Sequence, residues 1–214
     1  MLESLLLEHN FEVKVIDIAK DDYNSLKNTV TNALNQCDVV ISSGGVSMGD
    51  KDYVKRLLID LGFEICFGRV NMKPGKPMTF AANNAGKLYF ALPGNPVSAY
   101  VTFQILVLPA LRFMCGVSVS KCQLPVINTI LQVDKYKLDS RPEYVRAHIT
   151  YSPKKSLFYS HMSPNQMSSR VSSLINADVL LHLPGATDKL SNVCRGSKVK
   201  ATVIKQHFIS DYKD

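Results

Sequence analysis

The stretch Asp38–Gly62, "DVVISSGGVSMGDKDYVKRLLIDLG", decides the class of the first half of the chain. "DVVIS" is a short apolar run of the kind that forms a buried strand. "SGGVSMGD" is a glycine-rich loop. "YVKRLLIDLG" places Val54, Leu57, Leu58 and Leu61 at helical spacing, and Gly62 stops the helix. Strand, glycine loop and helix in that order make the repeating unit of an α/β fold.

The neighbouring segments extend the pattern. Upstream, "LESLLLEHN" reads as a helix ended by Asn10, "FEVKV" alternates as a strand, and "YNSLKNTVTNALNQC" is a helix that Asp21 or Asp22 could cap. Downstream, "FEICFGRV" is a strand. "FAA" and "KLYFAL" are two strands around the tight turn "NNAG". Asn95 then caps a helix that has Pro96 at its first position, a bend at Pro109 and a stop at Gly116. The expectation is an α/β domain over residues 1–116, built as a three-layer, mainly parallel sheet. After Gly116 short strands dominate: "QLPVINTILQV", "EYVRAHITY", "SLFYSHM", "DVLLHLP" and "KVKATVIK". They predict a small, mostly β domain over residues 117–214.

Composition narrows the function. Apolar residues make up 46% and charged residues 20% of the 214, ordinary for a globular protein. No apolar run in the sequence reads as a membrane span, and the N-terminus lacks the pattern of a signal peptide, so the cytoplasm is the expected location. Five cysteines without CxxC spacing argue against a disulfide framework or a zinc site and suit small core hydrophobes. The net charge of +7 comes from scattered basic residues rather than a basic run. A small acidic molecule, such as a phosphorylated one, therefore fits at least as well as nucleic acid. The terminal "DYKD" matches the start of a common epitope tag and carries no functional weight.

Three loops follow strands of the first domain, and an open α/β sheet binds ligands at the carboxyl ends of its strands. In Ser42–Asp50, Gly44 and Gly45 let the backbone approach a phosphate. "MKPGKP" holds Lys73 and Lys76 within a backbone constrained by Pro74 and Pro77. Such stiffness would aim two ammonium groups at one anion, although the same string could be a proline turn with solvated lysines. "PGNPVS" starts a helix with Asn95 and Ser98, where the helix dipole favours an anion. Asp21, Asp50 and Asp52 could bind a divalent cation or only cap helices. In the second domain Arg141, Arg146, Ser168, Ser169 and Arg170 suit an oxyanion, and equally an ordinary polar loop. His148, His161 and His182 are too far apart in sequence to suggest a metal cluster and read as structural.

Taken together, "SGGVSMGDKDYVK", "FGRVNMKPGKPMTF", "FALPGNPVSAYVTF", "SRPEYVR" and "NQMSSRV" resemble the molybdenum insertase family, in order from about Asp21 to Val203. The family takes in bacterial MoeA and the E domain of gephyrin, and the wording is most similar to the animal gephyrin branch. The resemblance implies a molybdopterin-binding, MogA-like first domain and a MoeA-type C-terminal β domain. It implies insertion of molybdate into adenylylated molybdopterin, a molybdotransferase reaction that releases AMP with the help of Mg²⁺ or another divalent cation. Molybdate would be held by Lys73, Lys76, Ser98, Arg141 and either Ser168 or Ser169. Ser43, Gly44, Gly45, Ser47, Arg69, Pro93, Gly94, Asn95 and Ser98 would receive the pterin phosphate or its nucleotide. Asp21 and Asp52 would be the acidic, metal-binding positions, catalytic together with Lys73 and Lys76. The resemblance also implies a homodimer, further domains upstream, and a first strand ending in an acidic loop before the helix at Met1. The alternative it carries is a catalytically incomplete, gephyrin-like scaffold that binds the cytoplasmic loops of receptors.

Overall fold

The computed structural model describes residues 1–14, 17–46 and 53–205. Contacts divide the chain into two compact units, Met1–Val70 with Gly75–Phe103, and Asn71–Pro74 with Gln104–Asp214.

In the first unit, α1 (Leu2–Glu8) ends where Asn10 takes a left-handed φ of 61°. Helix α2 (Tyr23–Gln36) is capped by Asp22, whose carboxylate accepts from the Ser25 amide at 2.8 Å. It is therefore Asp22, and not Asp21, that satisfies the helix start. Strand β1 (Val39–Ser43) precedes α3 (Tyr53–Asp60), and Gly62 follows that helix at a φ of 78°. Strands β2 (Glu64–Phe67), β3 (Thr79–Ala82) and β4 (Leu88–Leu92) complete a sheet ordered β1-β4-β3-β2 among the described residues.

The expectation of a mainly parallel sheet is corrected. β1 and β4 pair in parallel, but β4–β3 and β3–β2 are antiparallel, so the sheet is mixed. The reason is local. Only five residues join β3 to β4, and a parallel pair needs a crossover of a dozen or more. The Asn83 side chain fastens that turn by accepting from the amides of Ala85 and Lys87, and Gly86 supplies a φ of 76°. Strand β4 is buried on both faces. Tyr89 and Ala91 join Val30, Val54, Leu57 and Leu58 in one core. Phe90, facing the other way, stacks on Phe80 with ring centroids 4.7 Å apart.

"FEVKV" also departs from expectation. Phe11–Lys14 form no strand, and Val15 lies outside the described residues. Alternation selects a face, but a strand exists only where a ladder satisfies its backbone groups. Here the Phe11 amide turns back to donate to Leu6 O at 2.9 Å.

From Pro96 the chain is helical to Met114. It runs as α4 (Pro96–Thr102), a π turn (Phe103–Val107) and α5 (Leu108–Met114), with Gly116 beyond at a φ of 82°. Pro109 has no amide to donate back along the helix, and the widened turn lies just before it. This 19-residue run has a mean hydropathy of 1.5, long and apolar enough to cross a membrane, contrary to the reading of the bare sequence. With 56% of its apolar window buried inside the protein, it has the character of a core helix.

The second unit holds α6 (Val119–Cys122), whose last carbonyl accepts from Arg112 Nη1 at 3.2 Å. Strands β5 (Val126–Leu131), β6 (Lys135–Lys137), β7 (Glu143–Ser152), β8 (Leu157–Met162), β9 (Val179–Leu183), β10 (Asn192–Cys194) and β11 (Lys198–Val203) follow. Five of them close a barrel in the order β11-β5-β8-β7-β9, while β6 and β10 form a separate ribbon. Alternate residues point inward: Val145, Ala147 and Ile149 from β7 meet Val179, Leu181 and Leu183 from β9.

Of the five cysteines only Cys122 is buried, and Cys66, Cys115 and Cys194 are exposed. The reading of all five as core residues is thus corrected. Cys66, for example, falls on the outward phase of β2.

His148 and His161 are directly opposed on β7 and β8, with rings stacked 4.7 Å apart and nearly parallel. Burial and then the His148 charge push the His161 pKa down, and burial followed by Lys200 does the same to His182. Above the ordinary imidazole value near 6.5 both states are neutral and nothing is lost. Below it the unfolded chain takes protons that the folded one refuses, so stability falls with pH. Urea unfolding at pH 7.5 and pH 5.5 is expected to give a lower midpoint at the acid pH, and His161→Phe to shrink the difference.

Candidate functional site

The first unit contains a cleft of about 500 Å³. Its lining brings Asp21 together with Ser43, Gly44, Gly45, Tyr53 and Tyr89. Gly44 and Gly45 adopt φ values of 90° and 68°, the left-handed region that glycine tolerates. A Cβ on Gly45 would lie 2.8 Å from Val54 Cγ2, so this loop can hug α3 only with glycine there. The Gly44 amide is not available to a phosphate, because it donates to Leu92 O at 3.0 Å and prolongs the β1–β4 ladder. Gly94 passes so close that a Cβ on it would sit 3.5 Å from Gly44 Cα.

The remaining residues of this unit sit as follows. Pro93 is buried, and Asn95 is the N-cap residue of α4 without a side-chain capping bond. Ser98 is 4% exposed within α4, and its carbonyl accepts from Thr102 Oγ1 at 2.8 Å. Arg69 and Lys76 are exposed. The Lys76 carbonyl accepts from the Val70 amide at 2.9 Å and closes the turn that carries it. Ser47, Asp50 and Asp52 lie outside the described residues.

Lys73 belongs to the second unit. Its backbone lies alongside the start of β7, with its amide donating to Pro142 O at 2.9 Å and its carbonyl accepting from the Tyr144 amide at 2.8 Å. Its Nζ is 3.2 Å from Asp139 Oδ2 and 3.2 Å from Glu143 Oε1. The second contact is ionic rather than a well-formed hydrogen bond, since Oε1 accepts none. The opposite edge of Asp139 holds Arg141, which donates from its amide and from Nε to Oδ1, both at 3.0 Å. One carboxylate thus joins the Lys73 ammonium to the Arg141 guanidinium. Those Arg141 bonds, and then Lys73, keep the Asp139 carboxyl far below the usual carboxylate range. Glu143 is 2% exposed and accepts from Tyr136 OH at 3.1 Å. Burial first, and then the Glu143 charge, push the Tyr136 hydroxyl well above its ordinary value. A Cβ on Gly185 would come within 2.7 Å of Ser140 O, so that residue must stay small for the turn at Asp139–Arg141 to lie where it does.

Arg146, three residues along β7 from Glu143, is 1% exposed, and burial lowers its pKa. It organises the loop 163–173. Its amide donates to Gln166 Oε1, its carbonyl accepts from Gln166 Nε2 and the Ser163 amide, and its Nε donates to Ser173 Oγ. Ser168 and Ser169 ride on that loop, the first half-buried and the second exposed.

Sequence reasoning therefore selected Lys73 and Arg141, which the fold brings together, and Asp21 with Ser43–Gly45, which share a cleft. It missed Asp139, Glu143, Tyr136 and Gln166. The interleaved charges of "DSRPE" were the available signal for the first two. Gln166 stands in the quoted string "NQMSSRV", where only the serines were singled out, and nothing in the linear string marks Tyr136.

Comparison with known proteins bears on both units. Residues 1–112 match a family described as "Probable molybdopterin binding domain", and residues 131–203 match "MoeA C-terminal region (domain IV)". The chain is 46% identical over 213 residues to the molybdenum cofactor synthesis protein cinnamon of Drosophila melanogaster, covering 100% of this chain and 35% of that protein. It is 31% identical over 203 residues to a molybdopterin molybdenumtransferase of Staphylococcus aureus, covering 95% of this chain and 46% of that one. A molybdopterin biosynthesis MoeA protein from the archaeon Pyrococcus horikoshii superposes with a TM-score of 0.74 at 26% identity, over 96% of this chain and 47% of the other. The chain thus spans between a third and a half of the length of these relatives.

Proposed function

The chain belongs to the MoeA family of molybdenum cofactor synthesis proteins, and from that premise we propose that it forms the molybdate- and pterin-binding part of an insertase. The reaction is the transfer of molybdate to adenylylated molybdopterin with release of AMP. The observation that carries this reading is the convergence of Lys73 and Arg141 on one carboxylate. A lysine and a guanidinium fork aimed at the same point suit an oxyanion.

In this reading Lys73 and Arg141 bind molybdate, with Ser168 or Ser169 of the same unit. The cleft beside Gly44 and Gly45 takes the pterin phosphate. Mg²⁺ characteristically rests on one or two carboxylates plus substrate phosphates, so Asp21 at that cleft is a fitting donor, with Asp52 as the other. The cation would supply charge stabilisation at the phosphoanhydride. The chain's own contribution is to bind and orient. Cations fixed before the dianion arrives reduce the reorganisation that binding demands. The same reading takes the mixed sheet as part of a three-layer one, with a further parallel strand beside β1, which is the edge strand among those described. Homodimerisation rests on the resemblance.

Titration calorimetry with molybdate tests the proposal, after circular dichroism shows that wild type and Lys73→Ala/Lys76→Ala are both folded. Saturable binding that the double variant loses is expected. A folded wild-type chain that binds no molybdate would overturn the reading.

A further inference from the structure

The cations at the head of β7 in the second unit are already engaged. Lys73 and Arg141 bring two positive charges, and Asp139 and Glu143 bring two negative ones, all joined by contacts of 3.0–3.2 Å. Donors already held by a carboxylate are not free for an oxyanion. One carboxylate has to give way before an oxyanion can use both cations. Glu143 is poorly placed to do so, being 2% exposed, held by Tyr136 and fixed by the backbone of β7. Asp139 is the better candidate. It stands in the connection between β6 and β7, and its side chain is 21% exposed.

We propose that Asp139 is an internal stand-in for the oxyanion, which occupies the donors of Lys73 and Arg141 until a dianion displaces it and thereby sets the affinity and charge selectivity of the site. The proposal rests on the molybdate reading above. Asp139 presents two oxygens to the same donors that a tetrahedral oxyanion would engage. It carries one negative charge, so a dianion can outcompete it and a monoanion of the same shape gains nothing by trying. The carboxylate cannot leave by protonation near neutral pH, because Arg141 and Lys73 hold it ionised. Displacement by a stronger anion is the remaining route.

Molybdate and perrhenate are both tetrahedral and differ by one charge, so they separate the two terms. Calorimetry on the full chain is expected to show that Asp139→Asn binds molybdate about tenfold more tightly than wild type and gains measurable perrhenate binding. Asp139→Ser, which removes the charge with less demand on packing, should behave alike if the asparagine variant folds poorly. Molybdate affinity that is unchanged or weaker in both folded variants overturns the proposal. A second readout does not depend on the ligand: acylation of the Lys73 amine, followed by mass spectrometry, should quicken once Asp139 loses its charge. Unchanged labelling in a chain that binds molybdate overturns the role of Asp139 and leaves the molybdate reading intact. Quicker labelling with no molybdate bound by any form overturns the molybdate reading, and with it the stand-in.

Discussion

Arg146→Ala is expected to lower the unfolding free energy by about 3–5 kcal/mol, measured by urea denaturation. Arg146 is the largest of the fully buried side chains among the described residues, and Glu143 lies three residues before it on β7. Truncation would open a cavity and remove a buried positive charge that acts on Glu143 through space. The Arg146 Nη2 group has no hydrogen-bond partner among the described atoms, the situation in which an ordered water commonly completes a buried donor. Arg146→Met keeps the volume and is expected to recover more than half of the loss. Both variants lose the bond to Ser173, so both should show faster proteolysis within 163–173. A loss below about 1 kcal/mol for Arg146→Ala would mean that the barrel does not depend on this guanidinium.

On the proposed function, Lys73→Ala and Arg141→Ala are each expected to lower molybdenum-cofactor formation from adenylylated molybdopterin and molybdate by about 10²–10³-fold. Lys73 would remove a point charge. Arg141 would remove a planar fork, so Arg141→Lys should rescue little. Because Lys73→Ala also strands the buried Glu143, Lys73→Ala/Glu143→Gln is the control that separates chemistry from folding. Wild-type rates in either single variant would take that side chain out of the reaction.

The elements were legible because their signals are local. Asp22 and Gly62 bracket helices, "NNAG" turns a hairpin, and the alternation of β7 puts Val145, Ala147 and Ile149 on one face. The candidate site was half legible for the same reason. Lys73, Lys76 and Arg141 stand in short strings whose residue types and spacing resemble a known family, so no contact had to be inferred to select them. Asp139 could be seen only as one more charge in a polar loop, since its meaning lies in what it touches.

By itself, the sequence determined most of the order of helices and strands, and the family. Each follows from periodicity, turn chemistry or a contiguous motif. Only the tertiary structure decided that the sheet is mixed, that "FEVKV" finds no ladder among the described residues, that five strands close into a barrel, and that Lys73 pairs with Asp139 and Glu143. Strand pairing and charge pairing join residues dozens of positions apart. Their energies depend on distance and burial, quantities that come into being only when the chain is folded.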